Sequence, residues 1–128
     1  MAGRNEALID EIYAKDFENC TPGIPDFMRY GPDAIRQEYR FLWSAFSDIK
    51  ITHDEAVAEG DMVGLRWIWE ADHTGPFLGI PPTGAHITLE GYDIIQVRDG
   101  QIWRAWVYQD NVSLMQQLQA GGGAAPNA

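Results

Sequence analysis

The dipeptide Asp99-Gly100 is the feature that most limits how this chain can fold. It separates two runs of alternating apolar and polar residues, at about residues 85–98 and at residues 101–109. Asp-Gly favours a type I′ turn, because both central positions of that turn need a positive φ. The sequence therefore predicts a tight antiparallel hairpin, in which Val97 faces Ile102 when the register is uninterrupted.

Two further strands precede this hairpin. Apolar and polar residues alternate over residues 49–58 and 62–73, and the dipeptide Gly60-Asp61 between these runs is typical of a turn. Together with the hairpin, these runs predict a curved antiparallel sheet of four strands.

Helical spacing of apolar residues marks the parts of the chain outside the sheet. It extends over residues 8–17, and again over residues 35–46 after Pro32, a residue that suits the first turn of a helix. Residues 112–118 predict a short C-terminal helix. Helices followed by an antiparallel meander indicate an α+β fold, with the N-terminal helices packed on one face of the sheet.

The length of 128 residues is typical of one domain. We expect that domain at residues 1–119. Glycine and alanine predominate after it, so we expect a flexible tail at residues 120–128.

The charge of the chain disfavours several classes of partner. Nine Lys and Arg against 19 Asp and Glu give a formal net charge of −10, and the sequence holds no basic cluster. Such a charge repels phosphate backbones and anionic lipid, so we expect neither nucleic acid nor a membrane as partner. The N-terminus lacks an apolar signal segment, which leads us to expect a cytoplasmic protein.

Few residues are suited to bind a metal ion. Cys20 is the only cysteine, and His73 has no second histidine at the spacing of a metal site. We therefore expect no metal centre.

An uninterrupted register predicts what each face of the hairpin carries. The face toward the helices would hold seven apolar and three charged residues: Ile87, Leu89, Ile95, Val97, Ile102, Trp106 and Tyr108, with Asp93, Arg104 and Asp110. Charges among apolar groups indicate a function or an ion pair, because burial of an unpaired charge is costly. The opposite face mixes polar and aromatic residues, which favours a homodimer. One β-bulge would exchange the two faces beyond it.

Several segments together resemble one family. They are the proline- and glycine-rich loop at residues 73–84, the hairpin segment 91–102, Trp106 and Asp110 after it, and residues 13–22 upstream. This combination covers nearly the whole chain and resembles the SnoaL-like polyketide cyclases, a branch of the NTF2-like superfamily.

The resemblance implies a cone-shaped fold, with the sheet wrapped around helices and a deep pocket between them. It also implies a cofactor-independent reaction. Asp110 would act as general acid and base at a carbon next to a carbonyl, so that an intramolecular aldol reaction closes a ring in a small, apolar, carbonyl-containing substrate. Two features depart from the family pattern: the family's first helix has no counterpart before residue 8, and Cys20 stands where the cyclases have a His.

Each charged or polar candidate also has a structural interpretation. Asp110 precedes the last helix and could cap it instead of moving a proton. Asp93 could be a second polar group of the site, or could pair with Arg104. His73 could contact the ligand or hold the loop that follows it.

The remaining candidates are predicted to bind substrate. Trp106 and Tyr108 would form aromatic walls of the pocket, although either could be plain core. Phe77 belongs to a loop, at residues 74–84, that we expect to cover the pocket and exclude water. Asn19 would contact substrate or only shape its loop.

Three functions remain open at this stage. The first is the cyclase reaction. The second is epoxide opening by Asp93, Arg104 and Asp110, although two such carboxylates on one sheet face would be more than about 10 Å apart at roughly 3.3 Å per residue. The third is a dimeric module that binds a small molecule without transforming it.

Overall fold

The computed structural model describes residues 6–121. Within these residues it has three helices and five strands, and a short 3-10 turn at Asp26–Met28: α1 Ala7–Ile12, β1 Tyr13–Asn19, α2 Gly31–Ala45, β2 Phe46–Glu59, β3 Met62–His73, β4 His86–Arg98, β5 Gln101–Gln109 and α3 Asn111–Gly121. The predicted α+β class is confirmed. Helix α3 extends to Gly121, two residues into the tail predicted at residues 120–128, and the remainder of that tail lies outside the described residues.

The strands form one curved sheet in the order β1-β5-β4-β3-β2. Strands β2 to β5 are the predicted antiparallel meander. Strand β1 is a fifth member, parallel to β5, so the predicted count of four strands is wrong. No helix among residues 6–121 is long and apolar enough to cross a bilayer.

Strand β1 corrects the prediction of one helix over residues 8–17. Helix α1 ends at Ile12, and Tyr13 is already extended, with φ −105° and ψ 134°. The apolar spacing reports burial correctly, since Ile9 and Phe17 are both buried. Pairing with β5 nevertheless outweighs the helical preference of this segment. The sheet edge offers backbone hydrogen bonds, which the local sequence pattern does not indicate.

The Asp99-Gly100 turn forms as predicted. Asp99 and Gly100 have φ of 53° and 77°, the positive values that a type I′ turn requires. Val97 also pairs with Ile102, as the uninterrupted register requires.

A β-bulge then changes the register. Gln96 pairs with Arg104 rather than with Trp103, so Trp103 is the extra residue on β5. Beyond the bulge, every side chain of β5 lies on the face opposite to the predicted one. Ala105 pairs with the inward-facing Ile95, and Val107 pairs with the inward-facing Asp93. Trp106 and Tyr108, which follow them, face outward.

Two hydrophobic clusters lie on the concave face of the sheet. The larger includes Phe46, Trp69, Phe77 and Leu118, and the smaller is centred on Ile9, Phe17, Ile35 and Ala105. Helix α2 contributes to both, because its apolar face runs along its whole length. Helix α2 therefore covers the space between the two clusters.

The loop after β3 is held against the end of α2. The backbone amides of Thr74 and Gly75 both donate to the carbonyl oxygen of Ala45, at 3.1 and 2.9 Å. A Cβ at position 75 would overlap the carbonyl of Ser44, so only glycine permits this approach. The loop thereby carries Phe77 into the larger cluster.

Candidate active site

An inner cavity of about 310 Å³ lies between α2 and the concave face of the sheet. Small-molecule sites occupy roughly 300–1,000 Å³, so the volume suits a small ligand. Seven aromatic side chains line the cavity: Tyr13, Tyr39, Phe41, Phe46, Trp67, Trp69 and Phe77. Five polar side chains also line it: Asn19, Glu38, His53, Asp93 and Gln109.

Asp93 lies on β4 and accepts a hydrogen bond from Trp67, with 2.8 Å between Oδ1 and the indole Nε1. Burial raises the pKa of the Asp93 carboxyl above its ordinary value. The Trp67 hydrogen bond and the charge of His53 oppose this rise, because both favour the carboxylate. Asp93 does not pair with Arg104, whose guanidinium donates to Gln96 instead.

Glu38 projects from α2 into the same cavity. Burial, and secondarily the negative charge of Asp93, raise the pKa of Glu38 from 4.5 to about 7. Both the protonated and the ionised form of this carboxyl are therefore populated near neutral pH. A group with such a pKa is suited to both donating and accepting a proton.

Tyr13 and Tyr39 complete a cluster with the two carboxyls. Burial raises the pKa of each phenol, that of Tyr39 to about 12, and the charges of Glu38 and Asp93 add to the effect. Both phenols therefore keep their protons at neutral pH and can donate hydrogen bonds to an oxygen that gains negative charge. The cluster thus holds two carboxyls and two phenol donors in an aromatic cavity.

Asp110 lies outside this cluster. It is exposed at the N-terminus of α3, where its Oδ1 accepts a hydrogen bond from the backbone amide of Ser113 at 2.9 Å. It is not among the residues that line the inner cavity. The expected inward orientation of Asp110 is wrong. The bulge at Trp103 puts Gln109 on the inner face, so the next residue, Asp110, points away from the cavity. The catalytic role of Asp110 stays a prediction.

Trp106 and Tyr108 face outward for the same reason. They pair with Ile94 and Tyr92, and Tyr108 is 53% exposed. Neither lines the inner cavity, where Val107 and Gln109 of β5 lie instead. Tyr108 lines a second depression beside that cavity, and a substrate-binding role for Trp106 and Tyr108 stays a prediction.

The three groups suggested for epoxide opening are also dispersed. Arg104 lies on the outer face, where its guanidinium is 4.3 Å from the ring centroid of Trp103. Asp93 lines the inner cavity, and Asp110 lies at the surface. No triad of these residues forms.

His73 is fully buried and does not line the inner cavity. Its Nδ1 accepts a hydrogen bond from the backbone amide of Thr83 at 3.2 Å and lies 2.9 Å from the Thr83 hydroxyl. The backbone of His73 also bonds to Gly84 and Ala85. His73 therefore joins the two ends of the loop, which is the structural alternative considered from the sequence.

Asn19 and Phe77 both line the inner cavity, as predicted. Asn19 also shapes its loop, because its Oδ1 accepts a hydrogen bond from the amide of Thr21 at 3.1 Å. Its NH₂ group is thus the part left for a ligand. Phe77 packs against Phe41 and Phe46, with ring centroids 5.6 and 5.2 Å apart.

The sequence analysis missed Glu38, and a signal for it existed. Ile35, Glu38 and Leu42 are spaced three and four positions apart, so the carboxyl lies within the apolar stripe of α2. A charge in such a stripe is a candidate functional group. Tyr13 was missed because it was assigned to a helix, whereas it begins β1.

Among the described residues, no three His, Cys, Asp or Glu side chains come together as a metal site would require. The titratable groups of the inner cavity are suited to proton transfer and to binding an oxygen atom.

A curved sheet around an aromatic cavity with buried acids defines a class of small α+β proteins that bind or transform apolar molecules. The family model for SnoaL-like polyketide cyclases matches residues 2–118. The chain belongs to the SnoaL-like polyketide cyclase family. The NTF2-like fold predicted from the resemblance is thereby confirmed. No curated protein sequence matches the chain.

Solved structures with the same fold include TsrD from Streptomyces laurentii, with 26% identity and a TM-score of 0.82 over 93% of this chain and 86% of that one. IdmH, a proposed polyketide cyclase from Streptomyces antibioticus, is also 26% identical, with a TM-score of 0.81 over 93% of this chain and 90% of that one. AclR, a proposed hydroxylase from Streptomyces galilaeus, is 22% identical, with a TM-score of 0.74 over 99% and 76%. At that identity, the likeness to AclR concerns the fold alone.

Proposed function

We propose that this protein is a cofactor-independent acid–base enzyme that closes a ring in a small, polyketide-derived carbonyl compound by an intramolecular aldol reaction. Glu38 and Asp93 move the protons, rather than Asp110. The aromatic side chains of the inner cavity position the apolar part of the substrate, and α2 and the loop carrying Phe77 exclude water.

In the first step, ionised Asp93 takes a proton from the carbon next to one carbonyl, and the C–H electron pair forms an enolate. The phenols of Tyr13 and Tyr39 donate hydrogen bonds to the enolate oxygen. The enolate carbon then forms a C–C bond to a second carbonyl carbon of the same molecule. The oxygen of that carbonyl takes the proton of Glu38, and transfer of the proton from Asp93 to Glu38 restores the pair. The product is an isomer of the substrate.

One observation carries this proposal: two carboxyls with raised pKa values face one aromatic cavity, and the Trp67 indole donates a hydrogen bond to one of them, Asp93. The Trp67 hydrogen bond favours ionised Asp93, and burial beside that charge favours protonated Glu38. Of two neighbouring carboxyls, the one with a donor to its ionised form is suited to act as base and the other as acid.

Deuterium exchange at C1 of 2-tetralone tests the proton transfer without knowledge of the natural substrate. This ketone is small and apolar, as the volume and aromatic lining of the cavity require, and its exchange in D₂O is followed by NMR. We expect the protein to accelerate the exchange above the buffer rate. Asp93→Asn should reduce this acceleration by about 100-fold or more, the usual contribution of general acid–base catalysis. Glu38→Gln should reduce it less, because Glu38 acts after enolate formation and only takes up the proton that Asp93 has removed.

Circular dichroism and urea unfolding of the two variants would show that the fold is retained. Acceleration that persists in both variants would remove the pair from the mechanism. Binding of 2-tetralone without any accelerated exchange would instead favour the non-catalytic binding module.

A further inference from the structure

A second depression, which we call the outer groove, adjoins the inner cavity. It lies between the segment 21–28 and the end of β5, and its volume is about 300 Å³. Five residues line both spaces: Asn19, Met28, Glu38, Val107 and Gln109. The two spaces are thus neighbours, and Glu38 is one of the residues at their boundary.

Uncharged hydrogen-bonding groups predominate among the polar side chains of the outer groove. Thr21, Gln109 and Asn111 supply hydroxyl and amide groups. Asn111 lines the groove but not the inner cavity, and its Oδ1 accepts a hydrogen bond from Nε2 of Gln109 at 2.7 Å. Amide and hydroxyl groups both donate and accept, so this lining matches a ligand group that does the same.

The charges around the groove disfavour anions. Of the described residues, neither Lys nor Arg lines the groove or the inner cavity, whereas Glu38 lines both. The chain also has a formal net charge of −10. A carboxylate, sulfonate or phosphate on the ligand would meet the charge of Glu38 and find no cationic side chain among the lining residues.

The wall of the groove is attached firmly to the sheet. The hydroxyl of Thr21 accepts a hydrogen bond from the amide of Val107 at 2.8 Å, and the amide of Cys20 donates to the carbonyl of Ala105 at 2.7 Å. A site built in this way exists before the ligand binds, so little ordering entropy opposes binding.

We propose that the outer groove is a second binding subsite, which takes an uncharged amide- or hydroxyl-bearing part of the ligand while the apolar part occupies the inner cavity. Asn111 and Gln109 determine this selectivity. The inference rests on the proposed function in placing the reacting, apolar end of the ligand beside Glu38 and Asp93.

Three fluorescent ligands with one apolar group and different tails test the subsite. Dansylglycinamide has a neutral amide tail, dansylglycine an isosteric carboxylate, and N-isobutyldansylamide an isosteric hydrocarbon. We expect dansylglycinamide to bind about tenfold more tightly than dansylglycine at pH 8. It should bind about fivefold more tightly than the isobutyl compound, which is the effect of one net hydrogen bond.

Two variants locate the effect. Asn111→Leu and Gln109→Met keep the side-chain size and remove the amide, so the preference for dansylglycinamide over the isobutyl compound should fall at least threefold in either one. Gln116→Leu, an exposed position on α3, is the matched control and should keep the preference.

Equal affinity for the three ligands, no binding of any of them, or an unchanged preference in both variants would overturn the subsite. Exchange of 2-tetralone, which needs only the inner cavity, reports the proposed function separately. The subsite and the acid–base reaction can therefore fail independently of each other.

Discussion

The indole of Trp67 on β3 donates a hydrogen bond to Asp93 on β4, with 2.8 Å between Nε1 and Oδ1. Gly91, the residue opposite Trp67 on β4, permits this contact, because a Cβ there would overlap the indole ring. The same indole lines the inner cavity and holds the carboxyl that we propose as the base. Strand pairing thereby fixes the position of the Asp93 carboxyl.

Replacement of Trp67 by Phe should shift the pH dependence of the reaction. The variant loses a donor that favours the carboxylate, so the pKa of Asp93 should rise further. A hydrogen bond to a charged group contributes about 1.5–3 kcal/mol, which corresponds to roughly one to two pKa units. The acidic limb of the pH profile for 2-tetralone exchange should move up accordingly. Trp69→Phe is the control, and an equal shift in both variants would contradict the role of the hydrogen bond.

Gly91→Ala should destabilise the fold, because the added methyl group meets the Trp67 ring and the carbonyl of Tyr108. Overpacking of this kind costs about 1–3 kcal/mol in the free energy of unfolding, measurable by urea denaturation. Gly64→Ala is the matched control, since a Cβ there makes only an ordinary contact with the carbonyl of Val57. Equal stability of the two variants would show that the strands can shift to admit the methyl group.

Glu38→Gln should stabilise the fold at pH 8 but not at pH 4. The pKa of Glu38 rises from 4.5 to about 7 on folding, so the folded state binds more protons than the unfolded state between these values. The stability that protonated Glu38 contributes is therefore complete below pH 4.5 and is lost as the pH rises through 7. The loss approaches about 3 kcal/mol at pH 8, which the neutral Gln avoids.

Urea unfolding of both proteins across this pH range measures the effect. Glu55→Gln, at an exposed position on β2, removes the same charge without burial and controls for the net negative charge of the chain. A difference between Glu38→Gln and the unmodified protein that does not depend on pH would contradict the raised pKa.

Substitution of Asp110 separates capping from catalysis. Asn caps helices as well as Asp, whereas Ala does not, so Asp110→Ala alone should lower the free energy of unfolding, by about 1 kcal/mol. If the cavity pair moves the protons, Asp110→Asn should keep 2-tetralone exchange within about twofold. Loss of exchange in Asp110→Asn, with full exchange in Asp93→Asn, would return the catalytic role to Asp110.

The outer face of the sheet leads us to propose a homodimer. Tyr92, Ile94 and Tyr108 are 57%, 43% and 53% exposed, and Tyr92 lies directly opposite Tyr108. An apolar patch of this kind on a sheet face is typical of an interface. Sedimentation velocity should show a dimer that Ile94→Glu dissociates and that Val112→Glu, on α3, leaves intact. A monomer at high concentration would refute the proposal.

The sequence predicts best those elements whose position is set by residues close to them in the chain. Strand β5 has the predicted bounds because the Asp99-Gly100 turn fixes where it begins. The bulge at Trp103 has no such cause. Apolar and aromatic residues occupy both faces of β5 from residue 102 to 108, so the sequence pattern fits either register. Only packing against neighbouring strands selects one.

The same division holds for the candidate site. Asn19, Phe77 and Asp93 line the inner cavity as predicted, because the bulge affects none of them: Asp93 lies on the predicted inner face of β4, and Asn19 and Phe77 lie outside the hairpin. Trp106 and Tyr108 do not line it, since both come after the bulge. A single inserted residue thus decides which of the alternating side chains of β5 face the cavity.

The sequence alone determined the α+β class, the four-stranded meander and the family, because turns, periodicity and motifs are properties of neighbouring residues. The tertiary structure decided which acids face the cavity. Glu38 on α2 and Asp93 on β4 are 55 positions apart in the chain, and the elevated pKa of each arises from burial that exists only when the helix covers the sheet.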